Sequence, residues 1–338
     1  MKRTAILALL GLALAGCGSG AGTQSSAPTL TVYSGREEAI VGPLLERFEQ
    51  QTDIDVRVRY GDSAELAATI AEEGENTPAD VFFAQDPGSL GSLEDERLLA
   101  ELPDDVLDRV DARFRDPDRH WVGISGRVRV IAYNTDRLRE ADVPETVFEL
   151  AERSWRGRIG LAPANASFHA FVTAMRLSHG EARTRAWLEA IQANRPKLYA
   201  KNMPTLDAVA RGEIDVGLVN HYYLALAKAE RPDLPVANRF LRPGDPGALV
   251  SVAGAAVLAT SDDAGAANRL VGFLLEVEAQ RYFAEEQPEA EYPLVEGVDA
   301  GPGLPPLDGL RGPEIELDRL GPELERTLRL LSEVGLTR

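Results

Sequence analysis

Apolar and polar residues follow two different periods along the first third of the chain. Short apolar runs rich in β-branched and aromatic residues predict buried strands at 30–35, 54–60 and 79–84. Apolar residues spaced three or four apart predict amphipathic helices at 40–48, at 63–73 with Ser63 as its cap, and from a turn at 86–88 to Leu102. Strands and helices that alternate with short links predict an α/β fold with a parallel, doubly wound sheet.

A second series of strands and helices follows the extended segment 121–133, which is long enough to cross between two bodies of the chain. The predicted strands are 159–161, 214–219 and 251–259, and the predicted helices are 163–177, 181–194, 205–212, 224–230, 263–286 and about 317–331. The small-residue strand 251–259 is expected to cross back. The chain after residue 28 is too long for one small core and is typical of two lobes.

Two adjacent tyrosines, Tyr222 and Tyr223, lie where a predicted strand gives way to a predicted helix. At such a junction the backbone can turn both phenols toward one point, which neither a strand nor a helix allows. Two phenolates beside a helix N-terminus would form a hard oxygen site for a strongly Lewis-acidic ion such as Fe³⁺, since phenol otherwise ionises at about pH 10. The alternative is that both rings are half-buried packing.

Ligands of doubly wound sheets bind beyond the carboxyl ends of the strands, which here are residues 33–38 and Gln85-Asp86. A small-residue turn at 165–167 opens a predicted helix and is a candidate anion site. An ordinary helix cap is the alternative there, as is a helix-end role for Glu37. We expect Arg127 and Arg129 to form ion pairs between the lobes.

The N-terminus indicates export. Lys2 and Arg3 precede a short apolar stretch that is typical of a signal peptide at 1–16. The sequence Leu-Ala-Gly-Cys that ends at Cys17 resembles the lipobox of bacterial lipoproteins, which implies lipidation of Cys17; an ordinary secretory signal is the alternative. Residues 17–28 are rich in Gly and Ser and predict a flexible tether. The expected product is an exported lipoprotein, periplasmic or on the outer face of the cytoplasmic membrane.

Composition excludes several classes of function. The net charge of −18 argues against nucleic acid as a partner. Cys17 is the only cysteine, which leaves none for disulfides, catalysis or metal. We find no nucleophile–base pair, Walker loop or zinc-protease motif, so we expect no enzymatic activity. Of the four histidines, we expect His120, His169 and His179 in loops or on the surface, and His221 facing away from a metal.

A set of segments, in this order, resembles the ferric-iron-binding substrate-binding proteins of ABC importers, the bacterial transferrin-like family, from residue 29 to about 295. These segments are 32–37, 79–83, 125–130, 162–168, 212–217, 220–223 and 291–294. The resemblance implies the two-lobed type II periplasmic-binding-protein fold, in which each lobe is a mixed, doubly wound sheet with flanking helices and two strands cross between the lobes. The expected lobes are 29–126 with about 253–303, and about 127–252 with 304–338.

The resemblance also implies a ligand set. The family's paired tyrosines match Tyr222 and Tyr223. A family histidine falls at Glu37, and a family carboxylate falls at Gln85, which cannot bind as an anion although Asp86 is beside it. A synergistic anion, carbonate or phosphate, would be held by residues of the helix-opening turn and by asparagine side chains. These anion-site residues are Asn165, Ala166, Ser167, Asn202 and Asn220.

The partners implied are ferric iron as cargo, an ABC permease with its ATPase, and the membrane through the lipid anchor, with the protein itself a monomer. A binding protein of the same fold for a polyamine, thiamine or a small oxyanion is the alternative. A polyamine site would need carboxylates and aromatic residues from both lobes, and an oxyanion site would not need two phenolates.

Overall fold

Residues 28–337 are described by the structure, a computed structural model. The predicted signal peptide, Cys17 and all but the last residue of the tether lie outside them. The strands are β1 (Thr29–Ser34), β2 (Asp55–Tyr60), β3 (Val81–Ala84), β4 (Val122–Asn134), β5 (Ile159–Leu161), β6 (Lys197–Leu198), β7 (Val216–Asn220), β8 (Val236–Arg239), β9 (Val250–Val257) and β10 (Tyr292–Pro293). The helices are α1 (Glu38–Thr52), α2 (Ser63–Glu73), α3 (Pro87–Asp95), α4 (Asp104–Leu107), α5 (Ala166–His179), α6 (Glu181–Ala193), α7 (Asn202–Ala210), α8 (Tyr222–Glu230), α9 (Ala264–Leu274), α10 (Val277–Arg281) and α11 (Leu324–Glu333).

Strand β4 belongs to two sheets. The strand order is β2-β1-β3-β9-β4-β7-β5-β6, with β8 and β10 also paired to β4. Residues 122–128 of β4 pair with β9, and residues 129–134 pair with β7 and β8. The pairings of β1 with β2 and β3, and of β5 with β6 and β7, are parallel, whereas those of β4 and β9 are antiparallel. Both sheets are therefore mixed, and the predicted fold class is confirmed.

The apolar residues gather into one large core around the first sheet and two smaller cores around the second. Helix α1 contributes Val41, Leu44, Leu45 and Phe48, one face of the predicted periodicity. The C-terminal segment reaches both bodies, because Leu317 and Leu320 pack in the first core whereas Leu330 and Leu331 pack in the second. The lobe boundaries given above stay predictions. Within residues 28–337, no helix combines the length and apolar character needed to cross a membrane.

Two predicted helices are too long. The helix expected to reach Leu102 begins at Pro87, with Asp86 as its cap, and ends at Asp95. Proline is compatible with the first helical turn, so the expected turn at 86–88 is the helix start, and Arg97, with φ of 60°, lies beyond its end. The helix expected at 263–286 breaks into α9, α10 and a π-helical turn at Tyr282–Glu286.

The cap of α2 is also corrected. The Asp62 carboxylate accepts hydrogen bonds from the backbone N–H groups of Ala64 at 2.9 Å and Glu65 at 3.3 Å, so Asp62 caps the helix. Ser63 is its first residue, and its Oγ accepts a hydrogen bond from the backbone N–H of Gln85 at 2.8 Å. Ser63 therefore ties α2 to the end of β3 instead of capping the helix.

We predict that Asp62→Ala lowers the free energy of unfolding by about 1 kcal/mol, the usual contribution of a helix cap. The midpoint of urea-induced unfolding measures this change in stability. Asp62→Asn is the matched control, since its amide oxygen is an equally good acceptor. Equal midpoints for Asp62→Ala and the parent protein would show that Asp62 does not stabilise α2 as its cap.

Candidate functional site

The paired tyrosines are positioned by the pairing of β7 with β4. Asn220, the last residue of β7, is the register partner of Arg129. The next residue, His221, donates its backbone N–H to the Val128 carbonyl at 2.9 Å. Helix α8 then begins at Tyr222. Both tyrosines thus occupy the first turn of α8, beside the segment of β4 that passes between the sheets. The predicted helix at 224–230 begins two residues too late, so the tyrosines are the first two helical residues and not part of a turn before the helix.

The two phenol rings lie side by side. Their centroids are 4.3 Å apart and their planes are 30° from parallel. Tyr222 is only 5% exposed, whereas Tyr223 is half-buried. Burial and the neighbouring Tyr223 raise the pKa of Tyr222 well above its ordinary value, although Arg127 opposes the shift. Without a cation, the Tyr222 phenol is therefore neutral at neutral pH.

His221 is engaged at both ring nitrogens. Its Nδ1 accepts a hydrogen bond from the backbone N–H of Val128 at 3.2 Å, so the proton of the neutral ring is on Nε2. Nε2 donates to the Ala290 carbonyl at 3.0 Å. Burial lowers the pKa of His221, which keeps the ring neutral. Both potential ligand atoms are occupied by backbone, so His221 orients the turn and is not available to a metal.

Arg129 carries an uncompensated buried charge. Its side chain is 2% exposed, with Nη1 donating to Ser167 Oγ at 3.1 Å and Nη2 donating to the Leu218 carbonyl at 3.1 Å. Its Nε is buried without a partner, and no carboxylate of residues 28–337 forms an ion pair with it. Burial lowers the pKa of Arg129 to about 9, and the tyrosines raise it again only in part. The expected ion pair of Arg129 is not formed.

Three of the five predicted anion-site residues form one hydrogen-bonded cluster with Arg129. Asn165 caps α5, and its Oδ1 accepts from the Ser167 backbone N–H at 3.0 Å and from Ser167 Oγ at 2.7 Å. Asn202 Nδ2 donates to Asn165 Oδ1 at 3.2 Å and to Ser167 Oγ at 3.1 Å, while its own amide oxygen is buried without a partner. These contacts join the start of α5, the start of α7 and β4.

The other two anion-site residues adjoin this cluster. Ala166 is the first residue of α5 and is exposed. Asn220 is buried and faces Arg129 across the β4–β7 ladder. A helix start, several amide and hydroxyl groups and a buried guanidinium therefore share one small region, which is the chemistry that binds an oxyanion.

Gln85 lies at the end of β3, where a ligand was expected. Its amide oxygen accepts from Arg127 Nη1 at 3.1 Å and its amide nitrogen donates to the Gly35 carbonyl at 3.2 Å, in the orientation that satisfies both groups. Its backbone carbonyl also accepts from Arg127 Nη2. Asp86 is occupied as the cap of α3, where its carboxylate binds Ser89 at 2.9 and 3.0 Å.

Glu37 is exposed at the N-cap position of α1, and its side chain makes no capping hydrogen bond. No hydrogen bond among the described residues joins it to the tyrosines. Arg36, the preceding residue, is buried and forms ion pairs with Glu291 at 3.0 Å and Glu289 at 3.4 Å. The backbone therefore turns at this point so that Arg36 faces inward while Glu37 faces solvent.

Glu289 and Glu291 are functional candidates that sequence reasoning missed. Glu291 is buried, accepts from Ser125 Oγ at 2.7 Å and lies 3.6 Å from Arg127 Nε. Arg127 therefore has an ion pair, but the partner adjoins β10 of the same sheet, so this is not the expected pair between lobes. Burial alone would raise the pKa of Glu291, but Arg36 and Arg127 hold it below its usual range. Glu289 is partly exposed, and its charge acts on Tyr222. The segment 291–294 was recognised as a motif, yet nothing in its pattern indicated an acidic partner.

The remaining histidines differ partly from expectation. His169 and His179 lie in α5 and are partly buried, whereas both were expected in loops or on the surface. His169 Nε2 lies 2.9 Å from the Pro163 carbonyl. His120 lies in the loop before β4, as expected, but its ring contacts two carboxylates.

Comparison with known proteins agrees with the observed fold. The family model described as "Bacterial extracellular solute-binding protein" matches residues 76–306. A "Major ferric iron-binding protein" of Neisseria meningitidis is 35% identical over 311 residues, covering 91% of this chain and 93% of that protein. An "Fe(3+)-binding periplasmic protein" of Serratia marcescens is 30% identical over 319 residues, covering 94% of this chain and 93% of that protein.

Solved structures give the same result. Iron-bound HitA from Pseudomonas aeruginosa superposes with a TM-score of 0.81 at 34% identity, covering 91% of this chain and 99% of that one. The Trichodesmium protein in complex with iron and citrate superposes with a TM-score of 0.82 at 27% identity, covering 91% and 100%.

The matched family and the ferric-binding relatives place this chain in a class of extracytoplasmic solute-binding proteins, which are transport proteins and not enzymes. The chain belongs to the family of bacterial extracellular solute-binding proteins, and its predicted resemblance to the ferric-iron-binding members is confirmed.

Proposed function

We propose that this protein binds ferric iron through the phenolates of Tyr222 and Tyr223, together with a synergistic anion, and delivers the iron to a membrane permease. The observation that carries the proposal is the stacked tyrosine pair at the start of α8 beside the uncompensated charge of Arg129. The relatives named above, which are ferric-binding by their names, support iron as the cargo.

The phenolates supply the hard, anionic oxygens that Fe³⁺ prefers. A strongly Lewis-acidic cation displaces protons that the raised pKa of Tyr222 otherwise retains. Glu37 and Gln85 are the proposed further ligands, Glu37 as a carboxylate and Gln85 as a neutral amide oxygen. Glu37 is exposed and has no capping bond to break, which supports its availability. Gln85 would have to give up its contact with Arg127.

The anion, carbonate or phosphate, would bind at the start of α5. Arg129 supplies a positive charge that has no carboxylate partner among residues 28–337, and the helix start supplies backbone N–H groups. Asn165, Ala166, Ser167, Asn202 and Asn220 are the proposed anion-site residues. Fe³⁺ and the Arg129 guanidinium are both positive and repel each other. A bound anion would offset this repulsion, so iron and anion would bind cooperatively.

Iron transport needs both capture and release. The proposed ligands lie beside different sheets: Glu37 and Gln85 follow strands of the first sheet, and the tyrosines follow a strand of the second. An ion that bridges these ligands would favour a closed arrangement of the lobes. The closed form, a monomer, would be recognised by an ABC permease driven by its ATPase. Lipidation of Cys17 would keep the protein at the membrane, with the tether 17–28 giving it reach.

A second candidate is a small-oxyanion binder that uses no metal. Arg129 and the Asn165–Ser167–Asn202 cluster favour it, since these groups could hold an oxyanion alone. A polyamine or thiamine binder has no comparable support. Colour separates the candidates, because a tyrosinate–Fe³⁺ complex absorbs visible light and an oxyanion complex does not.

We predict that Tyr222→Phe and Tyr223→Phe each abolish or strongly weaken the visible band and lower the ferric affinity by more than about a hundredfold. Loss of a residue that hydrogen-bonds to a metal ligand lowers metal affinity about 10- to 100-fold, and loss of an anionic ligand itself lowers it further. Competition with a chelator measures the affinity. Tyr133→Phe, at a tyrosine outside the site, is the matched control. Parent-like colour and affinity in both single variants would refute the ligand assignment.

We predict that iron binding releases about two phenolic protons, because both ligands must be ionised. The raised pKa of Tyr222 sets the direction of the pH dependence. Because the metal-free phenol is protonated below its pKa and must lose that proton to bind iron, ferric affinity falls as pH falls. A dye in weak buffer counts the protons released when ferric citrate is added. Tyr222→Phe should release about one proton fewer than the parent, and an unchanged count would contradict the proposal.

We predict that Arg129→Met weakens the effect of the anion. In the iron-loaded parent, added phosphate or carbonate should slow iron loss to a chelator. The anion concentration needed for this effect should rise about 10- to 100-fold in the variant, as expected for loss of a charged hydrogen bond. Arg139→Met, which removes an 84% exposed arginine, is the control for net charge. Equal anion dependence in the two variants would exclude Arg129.

A further inference from the structure

A second group of ligand-type side chains lies away from the tyrosines. Glu94, near the end of α3, meets Asp116 and His120 in the loop before β4. His120 Nδ1 is 3.2 Å from Glu94 Oε1 and 3.4 Å from Asp116 Oδ2. One potential ligand atom from each residue lies within 4.8 Å of the other two. Three side chains from two elements therefore converge on one point.

Asp116 has an unused oxygen in this group. Its side chain is only 2% exposed, and Oδ2 accepts the backbone N–H of His120 at 2.7 Å. Oδ1 is buried and has no hydrogen-bond partner. No arginine or lysine of residues 28–337 forms an ion pair with Glu94 or Asp116. A buried carboxylate oxygen without a donor, beside a second carboxylate, is a position that a cation would stabilise.

The surroundings add negative charge. The carboxylates of Glu94 and Asp116 both lie against the His120 ring, so they repel each other when both are ionised. The carboxyl of Asp318 lies near enough for Asp116 to raise its pKa, after the larger effect of burial. Gly91 of α3 packs against the backbone of Asp318, which brings this third acidic residue to the same helix.

We propose that Glu94, Asp116 and His120 bind one divalent transition-metal cation of the Zn²⁺ kind. An imidazole with carboxylates is a ligand set for such ions, whereas Ca²⁺ takes six to eight oxygens and Mg²⁺ keeps several waters. Bonds of about 2.0–2.2 Å in a tetrahedron separate neighbouring ligand atoms by about 3.3–3.6 Å. The distances from His120 Nδ1 to Glu94 Oε1 and to Asp116 Oδ2, 3.2 and 3.4 Å, are close to this, so Oδ2 is the Asp116 oxygen that fits the geometry. His120 and Glu94 are 28% and 14% exposed, so water can take the fourth position.

The bound ion would tie two parts of the chain together. Helix α3 begins beside Gln85 and ends near Glu94, so its two ends are about 12 Å apart at the usual rise per residue. The loop with Asp116 and His120 leads directly into β4, which carries Arg127 and Arg129. The ion would thus fix α3 against the start of the crossing strand. This site is separate from the proposed iron site and does not depend on it.

The test is zinc binding in the Tyr222→Phe/Tyr223→Phe double variant, which removes the phenols that could also bind the metal. We expect untagged protein at pH 7.5 to bind one Zn²⁺ by calorimetry, in the presence of excess Mg²⁺ and Ca²⁺, and to show a rise in Tm with zinc excess. Glu94→Gln and His120→Asn should each weaken this binding at least about tenfold. Asp95→Asn, an exposed neighbour with the same charge change, and His179→Asn should leave it unchanged.

Zinc-edge X-ray absorption on the double tyrosine variant identifies the zinc ligands directly. Its result does not depend on whether the Glu94→Gln and His120→Asn variants fold. We expect a shell of oxygen and nitrogen atoms at about 2.0–2.1 Å with the scattering of one imidazole. Absence of saturable zinc binding would overturn the proposal. So would zinc binding that is equal in Glu94→Gln, His120→Asn and their controls, or a shell without imidazole.

Discussion

The candidate site depends on the antiparallel pairing of β7 with β4. That register sets Asn220 opposite Arg129 and lets the His221 backbone N–H donate to the Val128 carbonyl, and helix α8 begins at the next residue, Tyr222. Both ring nitrogens of His221 are bound by backbone, one to β4 and the other to Ala290. A shift of one residue in this ladder would turn every side chain of β7 to the opposite face and remove the tyrosines from the junction.

Charge is balanced on one side of this junction and unbalanced on the other. Arg36, Arg127 and Glu291 form a buried ionic group in which two cations share one carboxylate, with Glu289 at its edge. Arg129, two residues further along β4, meets a hydroxyl, a backbone carbonyl and two phenylalanine rings, but no carboxylate of residues 28–337. A buried guanidinium left without a carboxylate is costly, so its presence beside two phenols is best explained by a ligand that brings negative charge.

Local patterns in the sequence predicted most of the longer elements and placed the tyrosines at the end of β7, but they missed the short elements β6, β8, β10 and α4. The switch from strand period to helix period lies at residue 220, and Tyr222 is the first residue of α8. The sequence also supported the start of α5, because Asn165 is a strong helix-capping residue. The early end of α3 was missed, since Arg97 adopts a positive φ without being glycine or asparagine.

Contacts between distant residues could not be predicted. Arg129 meets Ser167 at a separation of 38 residues, and Arg36 meets Glu291 at a separation of 255. No local period encodes such pairs, because they depend on which strands become neighbours. The Glu94–Asp116–His120 group has the same origin: its members lie in a helix and a loop that only tertiary packing brings together.

The central claim is that ferric iron binds to phenolate oxygens at the start of α8. Resonance Raman spectroscopy of the iron-loaded protein, excited within its visible band, tests this most directly. The account predicts ring vibrations of iron-bound tyrosinate in the parent protein, weaker in each single tyrosine-to-phenylalanine variant and absent from the double variant. Iron bound at parent affinity without a visible band, or without tyrosinate vibrations, would contradict it.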